Sequence, residues 1–293
     1  MTDKKRALAL GFFDGMHDAH KAVVHAACAY AKEHDMIPTA VTFDHHPQSA
    51  IMARKERLIN TKESRIAHFH ALGIEDVIVL PFDEVRDTPW DVFVKDTLVN
   101  KLCAGFVSTG YDFRFGCGGT GSVEMLRDML SEYGIICETV PRMQVDGVEY
   151  SSSTIRNCIA DGKMEDAAKF LGHPHYIEGE VIHGKALGRT IGSPTMNVAF
   201  SPEIILPRTG VYCTYVVIDG IRYPSVTNVA GGDKPLAESF VLDFNRAVYG
   251  KNIRIEFLHF VRGMVAFASL DDLKAQIGKD TAYARTYFAS LES

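Results

Sequence analysis

The sequence predicts two folds in series: a parallel sheet wrapped by helices from Arg6 to about Leu171, then a small antiparallel barrel from about Tyr176 to Phe260 followed by a helix. Three observations carry this. Short apolar runs alternate with helix-period segments in the first half, and the pattern changes to strand and turn in the second. The length, 293 residues, suits two domains at roughly 100–200 residues each. The boundary falls around Gly172-His173-Pro174, giving domains 1–174 and 175–293.

In chain order, Ala7 to Phe12, Ile37 to Phe43, Val77 to Leu80 and Phe106 to Val107 read as buried strands. Val23, Ala27 and Ala31 mark one helical stripe between them, and Val123, Leu126 and Leu130 mark another. Thr88-Pro89 reads as a cap followed by Pro at the first helical position. In the second half, strands are expected at Tyr176 to Ile182, Gly210 to Ile218, Ile221 to Val226, Glu238 to Leu242 and Ile253 to Phe260, with Asp219-Gly220 as a hairpin turn. A last helix starts at Ser269, with Asp272 in a capping-box position and Leu270, Leu273 and Ile277 as its apolar stripe.

Composition narrows the function. With 46% hydrophobic and 23% charged residues the chain is an ordinary globular protein. The net charge of −6 lies in the first half, and neither half has the basic face of a nucleic-acid or membrane-surface binder, although a small anionic ligand fits. Six scattered cysteines without a C-x-x-C pair suit reduced thiols in a cytoplasm. Lys4, Lys5 and Arg6 precede an apolar run, but Asp14 interrupts it, so the start reads as a buried strand rather than a signal.

Chemistry is expected at the carboxyl ends of the parallel strands. Gly11-Phe12-Phe13-Asp14-Gly15-Met16-His17-Asp18-Ala19-His20 runs from the first strand through a turn into a helix, placing His17 and His20 on one face beside a positive helix end. Two imidazoles there can donate hydrogen bonds to a polyphosphate as charge develops on its oxygens. Locally satisfied structural histidines are the alternative, and a zinc site would lack a third ligand nearby. Ser151-Ser152-Ser153-Thr154-Ile155-Arg156 puts hydroxyls and a guanidinium at a helix start, suited to phosphate or simply to capping. Gly184-Lys185-Ala186-Leu187-Gly188-Arg189 leads to Pro194-Thr195-Met196-Asn197, a loop whose backbone can approach phosphates, or an ordinary barrel turn. Glu238, at the rim of its strand, could accept a proton from a substrate hydroxyl, or be a solvated strand end.

Taken in order, the Gly11–His20 segment, Thr42-Phe43-Asp44-His45-His46-Pro47, Gly110-Tyr111-Asp112-Phe113-Arg114-Phe115-Gly116 and Ser152–Arg156 resemble the prokaryotic bifunctional riboflavin kinase/FMN adenylyltransferases, the FAD synthetases. The resemblance continues through His183–Asn197, Pro207–Tyr212, Glu238–Gly250 and Gln276–Arg285, and so covers essentially the whole chain. It implies a Rossmann-like α/β nucleotidyltransferase followed by a six-stranded antiparallel riboflavin kinase barrel with a C-terminal helix. Riboflavin would become FMN and then FAD at the expense of two ATP, with Mg²⁺ needed for both steps. The resemblance places Gly11, His17, His20 and Asp112 around ATP and the flavin, and Ser153, Thr154 and Arg156 on the triphosphate. Gly184 and Gly188 would let a loop close over the kinase's ATP, Thr195 and Asn197 would bind Mg-ATP, and Glu238 would be the base on the ribityl 5′-hydroxyl. A cytoplasmic enzyme is implied, with flavin and ATP as partners, no nucleic acid and no membrane, and homo-oligomerisation left open.

The chain departs from the family pattern at Ala19, where the family has Gly, at Ser193 and Met196, and after Arg262, where Gly263-Met264-Val265 lacks the usual acidic residue. Its 228–237 segment is contracted and lacks a Thr. These changes bear on the kinase more than on adenylyl transfer. They define two other expectations: an adenylyltransferase with a weakened kinase module, and a non-catalytic flavin-binding regulator, against which the retained His17, His20, Arg156, Thr195, Asn197 and Glu238 speak.

Overall fold

The computed structural model describes residues 4–46, 57–183, 195–244, 246 and 248–291. Contacts divide the chain into two compact units, residues 1–152 and 153–293.

The first unit is a five-stranded parallel sheet: β1 (Arg6–Leu10), β2 (Ile37–Phe43), β3 (Asp76–Leu80), β4 (Ala104–Gly110) and β5 (Ile136–Val140). The strand order is β3-β2-β1-β4-β5. The apolar runs of β1, β2 and β4 are buried on both faces, as parallel strands covered by helices must be. Successive β1 side chains point to opposite faces, which sorts them into two cores. Ala7 and Ala9 pack with Val23, Val24 and Ala27 of the helix Asp18–Glu33. Leu8 and Leu10 pack with Leu126 and Leu130 of the helix Val123–Glu132. The chain leaves β1 toward β2 on one side while β4 lies on the other, so the sheet switches direction between β1 and β4 and opens a crevice at their carboxyl ends. A two-stranded ribbon, β6 (Gln144–Val145) and β7 (Val148–Glu149), precedes the helix Ser152–Asp161.

The second unit contains a six-stranded antiparallel sheet: β8 (His175–Glu180), β9 (Met196–Ala199), β10 (Gly210–Ile218), β11 (Ile221–Ala230), β12 (Leu236–Val241) and β13 (Asn252–Arg262). The order is β8-β13-β10-β11-β12-β9, and a bridge between Ile182 and Asn197 brings the two edges together. Closure removes exposed edges, as a barrel requires. Inside, the hydroxyls of Thr214, Thr227 and Ser239 bond to one another at 2.6 and 2.7 Å, so three buried polar groups satisfy each other across β10, β11 and β12. The helix Leu270–Leu291 packs Ala284 and Phe288 against Cys213 and Leu242.

Several expectations hold. Asp219 and Gly220 both take positive φ, 51° and 82°, in a two-residue hairpin between Ile218 and Ile221. Ser269 Oγ accepts from Asp272 N at 3.1 Å, as the capping box requires. Others are corrected. Leu270 is 61% exposed and lies outside the apolar stripe, which Leu273, Ile277, Ala284 and Phe288 make instead. Pro89 is itself the cap of the helix Trp90–Val92, and no side chain caps it. Glu238 is the third residue of β12 rather than its rim, because the strand begins at Leu236. Apart from these corrections, contacts group residues 153–171 with the second unit: Arg208 N bonds Ile159 O at 3.3 Å, and Glu165 pairs with His259 on β13.

Gly210 shows how tightly the barrel is built. Its φ is +149°, and a Cβ there would lie 2.3 Å from Arg262 O and 2.8 Å from the Phe260 ring. Gly210→Ala should therefore destabilise the second unit by about 2–4 kcal/mol, read as an earlier urea transition.

Candidate functional site

The crevice at the ends of β1 and β4 is built from a turn under tight local control. Gly11 leaves β1 where a Cβ would meet the Phe13 ring at 3.0 Å. Phe13 and Met16 adopt φ of 62° and 42°, held by burial of both side chains and by the packing of Phe13 on Phe69. The Asp14 carboxylate, 1% exposed, accepts from Ile59 N at 2.9 Å and Asn60 N at 3.2 Å. Arg65, also 1% exposed, donates from Nη2 to Phe43 O at 2.9 Å and lies 4.2 Å over the Phe12 ring. Burial lowers its pKa, while the charges of Asp14, Glu63 and Asp44 act the other way. Neither Asp14 nor Arg65 was singled out in the sequence. Asp14 ties the turn after β1 to the backbone at Ile59 and Asn60, and Arg65 ties it to the end of β2.

This turn delivers the histidines. His17 caps the helix Asp18–Glu33, its Nδ1 accepting from His20 N at 3.3 Å, and the two rings stack at 3.6 Å. Tyr150, missed in the sequence, donates to Asp18 Oδ2 at 3.3 Å and brings its ring within 6.0 Å of His17. Burial lowers the His17 pKa from 6.5 to about 4, against the weaker pull of Asp18. His17 is therefore neutral at pH 7. With Nδ1 occupied as an acceptor, its proton sits on Nε2, which is a donor. Ala19, in the first turn, is half-buried. Asp112 is exposed just beyond the end of β4, which pairs with β1 from Leu10 to Thr109. Ser153 and Thr154 stand on the first turn of the helix Ser152–Asp161, exposed and half-buried respectively, and Arg156 is 6% exposed on the same helix.

The second unit has its own polar row. Asn197 on β9 pairs with Glu238 on β12, which pairs with Asn228 on β11, so the three side chains share one face. Asn228 Nδ2 donates to Glu238 Oε2 at 3.2 Å. The contracted segment forms only the turn 231–235 and leaves this bond intact. Asn197 is 4% exposed, and its Oδ1 has no hydrogen-bond partner among the described residues. Glu238, Asn228 and Thr195 line a cavity of about 370 Å³ together with the apolar side chains of Val211, Val226 and Phe240. A cavity of that size, mostly apolar with a few polar groups along its wall, suits an aromatic ligand that carries hydroxyls. Gly184 and Gly188 lie outside the described residues.

A family model described as FAD synthetase matches residues 1–154, and one described as riboflavin kinase matches residues 171–288. Proteins named bifunctional riboflavin kinase/FMN adenylyltransferase are similar along nearly the whole chain. The one from Haemophilus influenzae is 33% identical over 97% of this chain and 94% of its own length. The one from Bacillus subtilis is 34% identical over 98% and 94%. A solved structure titled macrolide-efflux protein, from Streptococcus pneumoniae, superposes with a TM-score of 0.86 at 27% identity, covering 97% of this chain and 95% of its own. Among the described residues, no helix is long and apolar enough to cross a membrane.

The buried His17 makes a pH prediction. Its pKa is lower folded than unfolded, so the unfolded chain binds more protons between pH 6.5 and 4, and stability falls as pH drops through that window. At pH 5 the loss from this group is about 2 kcal/mol relative to pH 7. His17→Asn keeps a capping side chain without the titration, and thermal melts from pH 5 to 7 should show a shallower decline for it than for the wild type.

Proposed function

The chain belongs to the bifunctional riboflavin kinase/FMN adenylyltransferase family, and from that premise we propose that it phosphorylates riboflavin to FMN with one ATP and adenylylates FMN to FAD with another, releasing pyrophosphate. The observation that carries the reading is that the chain holds two sets of polar groups, a stacked histidine pair after β1 and a carboxylate on the wall of a cavity beside the barrel. In this reading, residues 1–174 serve adenylyl transfer and 175–293 serve the kinase.

For adenylyl transfer, an oxygen of the FMN phosphate attacks the α-phosphorus of ATP and the bond to pyrophosphate breaks. The nucleophile already carries charge, so the protein needs alignment and charge stabilisation rather than a covalent intermediate. His17 Nε2–H and His20 donate to the phosphate oxygens as negative charge builds, and a neutral His17 does so without needing a proton from solvent. The Gly11 turn and Asp112 border ATP and flavin at the strand ends. Ser153, Thr154 and Arg156 hold the triphosphate.

For the kinase, Glu238 takes the proton of the ribityl 5′-hydroxyl as that oxygen attacks the γ-phosphorus and ADP leaves. Asn228 fixes the carboxylate from one side and leaves its other oxygen for the substrate. Val211, Val226 and Phe240 take the ring system. Thr195 and Asn197 would hold Mg²⁺ with ATP: both offer hard oxygen donors, and the buried Asn197 Oδ1 has no other partner among the described residues. Bound there, the ion would neutralise phosphate charge. Gly184 and Gly188, outside the described residues, are proposed as ATP-binding on the family resemblance alone. The chain's six cysteines are free thiols, which suits work in a reducing cytoplasm.

Chromatography of reactions containing Mg-ATP tests this directly: FAD should appear from riboflavin and from FMN alike. Glu238→Gln should lower FMN formation by about 10²–10⁴-fold and spare FAD formation from supplied FMN. His20→Ala should do the reverse, cutting adenylyl transfer by about 10²–10³-fold. Loss of both activities in either variant would sink the two-site assignment.

A further inference from the structure

Three stretches line the cavity that contains Glu238: a first wall is the barrel, with Val211, Val226 and Phe240; a second is the helix Leu270–Leu291, with Leu273, Ile277 and Thr281; and the segment after β13 adds Met264, Val265 and Phe267. What holds the second wall against the first is unevenly distributed along the helix. Its C-terminal half docks through buried Ala284 and Phe288. Its N-terminal half, over the cavity, has no such contact: Leu270 is 61% exposed, and Leu273 and Ile277 are only partly buried.

That half is held by an ion pair instead. Arg262, the last residue of β13, donates from Nε to Asp280 Oδ1 at 3.0 Å and from Nη2 to Oδ2 at 2.7 Å. Its Nη1 donates to Gly263 O at 3.0 Å, fixing the fork to its own backbone. Gln276 Nε2, one turn earlier on the helix, donates to Asp280 Oδ1 at 2.9 Å. Asp280 is 5% exposed, and both members of the pair line the cavity. The carboxylate missing directly after Arg262 in the sequence is thus supplied from the helix.

We propose that Arg262 and Asp280 are positioning residues for the kinase: their bidentate pair fastens the helix across the cavity and sets the spacing between the two walls that grip the riboflavin ring. A buried ion pair adds little net stability compared with apolar side chains of the same volume. What it adds is geometry, because a planar fork on a carboxylate admits one distance and one orientation. The pair sits where the helix carries only partly buried apolar side chains and where a small shift would widen the cavity. The effect is therefore on ring binding and not on the phosphoryl transfer at Glu238.

This inference rests on the reading that the cavity takes riboflavin. The test measures kinase kcat and the KM for riboflavin in the full-length chain, with FAD formation from supplied FMN as a control on the same preparations. Asp280→Asn should raise the riboflavin KM about tenfold while changing kcat less than about threefold, and Arg262→Lys, which keeps the charge but loses the fork, should fall between it and the wild type. A merely structural role would lower kcat through inactive protein and leave KM unchanged, and that result, or unchanged values for both, overturns the proposal. Should Asp280→Asn fail to fold, the apolar double variant Arg262→Met/Asp280→Leu keeps the helix packed without the fork. Its riboflavin KM should still rise, and a wild-type KM there overturns the proposal as well. Failure of the underlying reading looks different: Glu238→Gln would then leave FMN formation untouched, whatever the pair variants do.

Discussion

A polar group taken out of water must keep a partner, and both sites of this protein stand where that constraint meets the ends and edges of β-structure. Asp14 is buried on the backbone of Ile59 and Asn60, His17 on the amide of His20 and Asp280 on Arg262, while the half-buried Glu238 is held by Asn228. Each of these bonds fixes a functional side chain, or the element carrying it, in one orientation. Without them the turn after β1 and the cavity wall would have to solvate their charges by opening.

The two units meet the constraint differently. In the first, the strain of Phe13 and Met16 at positive φ is tolerated because Phe13 is locked in the core, and the chain then enters a helix whose first turn presents the histidines. The arrangement is local, spanning ten residues of sequence. In the second, Asn197, Asn228 and Glu238 come from three strands, and their alignment is a consequence of register. A one-residue slip of β12 would turn Glu238 to the other face.

Catalysis follows from the same difference. Adenylyl transfer uses a nucleophile that is already charged and needs fixed donors, the part proposed for the neutral, buried imidazole at a helix terminus. Phosphorylation of a neutral hydroxyl needs a base, the part proposed for the Glu238 carboxylate that Asn228 holds. One chain carrying both chemistries gains by keeping the base and the donors in separate units.

Much of this was legible in the residues. The apolar runs of β1 and β2 and the Val23, Ala27, Ala31 stripe identify the parallel sheet and its first helix, because local period records which faces are buried. The Gly11–His20 segment shows its chemistry for the same reason: turn, cap and ligand groups are contiguous. The short strands β5 and β9 escaped the reading because Glu138 and Thr139 in one and Asn197 in the other break the continuous apolar run that marks β1. Asp14, Arg65 and Tyr150 are ordinary residues until the fold brings Ile59, Phe12 and Asp18 to them. By itself the sequence determined the fold class and the order of the two units. Tertiary structure alone decided that Asn228 holds Glu238, that burial keeps His17 neutral and that Asp280 reaches Arg262. Partners far apart in the chain leave no local pattern, and desolvation exists only once the core has closed around a group.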